Sequence, residues 1–78
     1  MHYHKQLAKY LKERREKTKK SLNVFCEENN IEPSTLSRIE NGILELKISV
    51  LVKIALGLDT TPSVLLTDFE EYLLKKHS

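Results

Sequence analysis

SLNVFCEENNIEPSTLSRIENG, residues 21–42, reads as a helix, a tight turn and a second helix. Ser21 opens the first, because its hydroxyl can accept from a free amide of the first helical turn. Val24, Phe25 and Cys26 give that helix an apolar face. Asn29-Asn30 stops it, since asparagine tolerates the left-handed conformation that ends helices. Pro33 suits the first turn of the next helix, where a missing N–H costs little. Leu36 and Ile39 share its inner face, and Asn41-Gly42 closes it. Two short helices joined this tightly cross steeply, which is the geometry of a helix-turn-helix.

Within this stretch IEPSTLSRIENG, residues 31–42, resembles the recognition-helix signature of the Cro/phage-repressor (XRE-type) helix-turn-helix family, and the resemblance runs without a gap from about Leu7 to Leu66. It implies an all-α fold: five helices of the phage-repressor type, here with a short C-terminal helical extension. It also implies sequence-specific binding of double-stranded DNA by a transcriptional regulator, most simply a repressor. In the family's register Arg15 falls where an arginine packs against the glutamate of the Glu-Asn-Gly turn, here Glu40. A guanidinium can reach such a carboxylate with two parallel hydrogen bonds.

The outward face of the second helix, about 33–40, carries Ser34, Thr35, Ser37 and Arg38. Ser34 and Arg38 are four apart and lie over one another. An arginine can bind both O6 and N7 of guanine, and hydroxyls can meet base edges or phosphates. These four are the expected base readers. Lys20, Ser21, Asn23 and Asn41 are the expected phosphate contacts, at the start of the first motif helix and in the closing turn. Several positions depart from the family pattern. Leu22 stands where a phosphate-binding glutamine is common, Asn29 replaces a usual leucine, Asn30 takes the turn position usually held by glycine, and Arg14 replaces an apolar residue. After Gly42 the family often carries Lys or Arg. Here Ile43, Leu44 and Leu46 follow, and they are expected to pack in part against the core.

Charge is divided unevenly. Residues 1–20 hold eight Lys/Arg against two Glu, and residues 21–78 hold five against nine acidic residues, within a net charge of +2. A basic first helix, about 5–18, on an otherwise acidic domain can track phosphates. Leu7, Tyr10 and Leu11 form its buried stripe. With 78 residues the chain makes one small domain, and such a domain gains from burying further surface against a partner. Cys26 is the only cysteine. It sits where the family has a small residue between the two motif helices, so it reads as a small core residue. An unpaired cysteine fits a reducing, cytoplasmic setting.

Downstream, a helix over 48–58 is apolar on nearly every face, as expected for a central or shared helix. Gly57 near its end permits close contact or marks fraying. Thr61 then caps a fifth helix that starts with Pro62. Thr67-Asp68-Phe69-Glu70 has capping-box spacing, so residues 67–78 read as a new or kinked helical extension beyond the DNA-binding domain at 1–66. A single small reader helix touches few base pairs, and two of them about 34 Å apart read a palindromic operator. A homodimer is therefore expected, held mainly by Leu65, Phe69, Tyr72 and Leu73 with the fourth helix contributing. The competing reading folds the tail back over its own core.

The sequence argues against other classes. No run of eighteen apolar residues spans a membrane, and no Gly-rich phosphate loop or nucleophile–base constellation suggests an enzyme. His2 and His4, with His77 at the far end, lack a third ligand nearby, so no metal or cofactor is expected. The alternative function is a protein-interaction module on the same fold, antitoxin-like, with weakened DNA binding; Leu22, the apolar connector and the acidic remainder of the chain favour it.

Overall fold

The computed structural model describes residues 3–76 and holds five helices among them: α1 Tyr3–Lys17, α2 Leu22–Asn29, α3 Pro33–Glu40, α4 Ile48–Gly57 and α5 Pro62–Lys76. The helix boundaries follow local chemistry. Ser21 caps α2 by accepting from the Val24 amide at 3.2 Å, and Asn30 ends it in the left-handed region at φ 55°. Thr61 caps α5 through the Val64 amide. Helix α1 starts at Tyr3 rather than at about residue 5, so Tyr3 and His4 are helical. His2 and His77 lie outside the described residues, among which no cluster of His, Cys, Asp or Glu could hold a metal ion.

Helix α2 packs on α3 and α4, α3 packs also on α1, and α5 packs on α4 and α1. At the centre Leu11, Phe25, Cys26, Leu36 and Leu65 are sealed from solvent, ringed by Tyr10, Ile31, Ile39, Leu51, Ile54, Ala55 and Phe69. Burial raises the pKa of the Cys26 thiol, which Glu40's charge pushes in the same direction, so Cys26 packs as a neutral residue. Val24 does not join the core: it is exposed on the outer side of α2.

Two expectations change at the C-terminal end. Helix α5 runs unbroken through residue 67. The Thr67 hydroxyl donates to the carbonyl of Ser63 one turn back, which uses it inside the helix rather than at a cap. Leu65 and Phe69, expected at a dimer contact, are instead in this chain's own core, at 0% and 8% exposure. Phe69 meets Tyr10 at 5.4 Å between ring centroids, and Tyr72 meets Tyr10 at 5.0 Å. Tyr72 and Leu73 pack against the same core at half burial. Arg14 secures this seam: it donates to the Tyr10 hydroxyl at 2.6 Å and lies 3.6 Å from Asp68 of α5. The departure at position 14 thus lets α1 hold the tail.

Gly57 is a site of close approach. A Cβ on Gly57 would fall 2.5 Å from Nδ2 and 2.6 Å from Cγ of Asn29, whose carboxamide donates to the Phe25 carbonyl. Gly57→Ala should therefore push the Asn29 carboxamide aside and break its bond to Phe25, destabilising by about 0.5–1.5 kcal/mol in urea unfolding. In an Asn29→Ala background the same change should become neutral or stabilising, because only the helix-propensity gain remains.

Candidate nucleic-acid interface

Helix α3 is held at its C-terminal end by a buried ion pair. Arg15 Nε donates to Glu40 Oε2 at 2.8 Å, and Nη2 donates to Oε1 at 3.0 Å. Arg15 Nη1 donates to the Lys20 carbonyl at 2.9 Å. The two residues are 8% and 7% exposed. The hydrogen bond to Glu40 raises the Arg15 pKa against the opposing effect of burial, so the guanidinium stays charged. One side chain therefore ties together the end of α3, the α1–α2 turn and α1. Glu40 also sits at the negative end of the α3 dipole, and Arg15 supplies the charge that makes this position tenable.

The pair fixes what α3 shows to solvent. Leu36 and Ile39 are buried, Ser34 and Arg38 are exposed, and Thr35 and Ser37 are half-buried. Arg38 has no ion pair among the described residues. The exposed face thus presents a free guanidinium one turn from a hydroxyl. Thr35 borders an open cleft of about 300 Å³ toward the start of α4, where Ile39, Leu44 and Val50 supply apolar lining.

The expected phosphate contacts fare differently. Ser21 and Asn23 lie exposed at the start of α2, where the first helical amides have no intrahelical acceptor and the helix dipole is positive. Lys20 is adjacent but paired with Glu28 of α2 at 2.6 Å. Both side chains are well exposed, and such surface pairs are weak, so a phosphate can compete for the ammonium. Asn41 is less available than expected. Its carboxamide donates to the Ser37 carbonyl at 2.8 Å, and its backbone amide goes to the same oxygen. Leu22, at the glutamine position, is half-buried against the core. The connector is divided: Leu46 packs inward, Leu44 is at the border, and Ile43 is 76% exposed.

Sequence reading missed two features. Ile48, Val52 and Leu56 are all exposed, and their spacing of four places them in one stripe on α4; the spacing was legible, but a uniformly apolar helix hid which face turns outward. The approach of Lys5 to Gly42 depends on tertiary packing of α1 and left no local signal.

Two short helices, α2 and α3, packed on each other across a tight turn, with α3 pinned by a buried ion pair, define the class: a helix-turn-helix domain. A family model described as helix-turn-helix matches residues 11–65. The chain belongs to the Cro/repressor-like, XRE-type branch of that family, whose members are DNA-binding regulators. No curated protein and no solved structure matches the chain closely. No single helix among the described residues is long and apolar enough to cross a membrane.

Proposed function

We propose that this protein is a cytoplasmic transcriptional repressor that binds a palindromic double-stranded DNA operator as a homodimer and acts by occupancy, without cofactor or catalysis. The observation that carries the reading is the exposed Ser34–Arg38 face on a helix whose end is locked by Arg15 and Glu40. Helix α3 enters the major groove with Ser34, Thr35, Ser37 and Arg38 toward base edges. Ser21, Asn23 and the α2 N-terminus, with Lys20 once released from Glu28, take the phosphate backbone. The second copy docks through the α4 stripe, since Leu65 and Phe69 are committed to the core.

Selecting bound duplexes from a random pool, followed by a salt titration on the winner, tests the DNA reading, because phosphate-bound proteins lose affinity steeply with salt. Arg38→Ala should then cost about 1–3 kcal/mol on the selected site and relax preference at one base position. Equal loss on selected and random duplexes would remove Arg38 from base reading.

One observation favours the alternative protein-interaction module. Lys20 is tied to Glu28 and Leu22 brings no donor, so the α2 edge is poorer in phosphate contacts than the motif alone suggests. On that reading the salt titration would give only weak duplex binding even at low salt.

A further inference from the structure

We infer that Lys5 is a phosphate-contacting residue, standing over the turn that ends the reader helix and supplying there the positive charge that the turn lacks. This rests on the DNA-binding reading above. The turn has already used its own donors. The amides of Asn41, Gly42, Ile43 and Leu44 go to the carbonyls of Ser37, Ile39 and, for the last two, Arg38, and the Asn41 carboxamide also turns to Ser37. The following residues 43–46 bring no cation and one carboxylate, Glu45. The negative end of the α3 dipole points the same way. Residues 41–44 thus offer a phosphate no free backbone amide, and residues 41–46 no cation. The cations flanking them are Arg38, assigned above to base edges, and Lys47 at the start of α4.

Helix α1 changes that balance. A Cβ placed on Gly42 would lie 3.5 Å from Lys5 Cγ and 3.9 Å from its Cα. The lysine stem therefore rests on the bare backbone of Gly42, which the positive φ of 72° reserves for glycine. The ammonium lies three bonds beyond Cγ, a reach long enough to meet a phosphate that approaches the turn. Lys5 is exposed and makes no ion pair among the described residues. Lys9 and Lys12, exposed in turn, follow at i+4 and i+7 on the same side of α1, so a basic ridge leads away from the contact point. The ligand chemistry is a phosphodiester, recognised by charge and without regard to base.

The test is a binding titration of the full chain on its selected duplex and on a scrambled duplex, at several salt concentrations, for the wild type, Lys5→Gln and Lys5→Arg. Losing one phosphate contact should lower affinity about eightfold per protomer at about 0.1 M salt, equally on both duplexes, and reduce the slope of log K against log salt by about 0.9 per protomer. Lys5→Arg should keep the slope, and thermal melting of Lys5→Gln should match the wild type. A wild type that binds duplex with a normal salt slope, alongside a Lys5→Gln variant with unchanged affinity and slope, overturns the Lys5 assignment alone. A wild type with no salt-dependent duplex binding overturns the DNA reading beneath it. Loss confined to the selected duplex would make Lys5 a base reader, and a lowered melting temperature with an intact slope would make it structural; either result removes it from the phosphate role.

Discussion

Arg15→Ala should destabilise the fold by about 3–5 kcal/mol, because it leaves the Glu40 carboxylate buried without its partner. Glu40 is 7% exposed and takes both of its short hydrogen bonds from Arg15. The same substitution releases the Lys20 carbonyl, so it also loosens the turn leading into α2. Glu40→Ala should cost less. The arginine it strands keeps the Lys20 carbonyl and has a long flexible stem that can carry its charge to water. The double variant Arg15→Met, Glu40→Leu should be milder than Arg15→Ala alone, since no buried charge remains. Small domains hold only about 0.05–0.15 kcal/mol per residue of net stability, so Arg15→Ala can remove most of what this one has. Urea unfolding of the four proteins measures all of this. Additive single losses below about 0.5 kcal/mol would show that the pair behaves as ordinary surface charge.

The two motif helices were legible because each boundary has its own local chemistry. Ser21, Asn30 and Pro33 act through one or two hydrogen bonds or one fixed dihedral. The meeting of Arg15 with Glu40 was reached from family register, and no periodicity within α1 alone would have singled out Arg15 from its basic neighbours. The C-terminal end was harder to read for a physical reason. Thr-x-x-Glu spacing is the same at a helix start and in a helix interior, and only the carbonyl of Ser63, one turn back, shows that Thr67 lies inside. Phe69 and Tyr72 could equally have covered their own core or a partner's. The decision lay with Tyr10 and Arg14, more than fifty residues earlier, which accept the tail on α1. Lys20 and Asn41 show the converse limit: their places in the motif made them expected phosphate contacts, but their present partners Glu28 and Ser37 could not be read from spacing alone.

Val52→Lys should turn a homodimer into a folded monomer. Ile48, Val52 and Leu56 are 73%, 37% and 64% exposed, and they repeat every four residues along α4. Rows at that spacing pack into one another when two helices cross at about −50°, so the stripe can serve both sides of a twofold contact. In such an isologous contact one substitution enters twice. A lysine at a central apolar contact must bury an unpaired charge as well as lose packing, which puts its cost at the hot-spot level of about 2 kcal/mol or more, and the two lysines repel across the axis. The two copies together should weaken association by at least about 4 kcal/mol, or roughly a thousandfold. The fold should survive, because Val52 faces outward while Leu51, Ile54 and Ala55 hold α4 to the core. Sedimentation of the full chain at tens of micromolar is the direct measurement, with circular dichroism to check folding. Shortening the chain at residue 67 would be a poor substitute, since it removes Phe69 from the core. On DNA, the monomeric variant should keep weak binding to a single half-site and lose the gain from a palindrome, because two readers spaced by about 34 Å no longer arrive together. A wild-type chain that sediments as a monomer sinks the free dimer. A Val52→Lys chain that remains dimeric moves the contact off α4, onto the exposed Val64, Leu66 and Leu74 of α5.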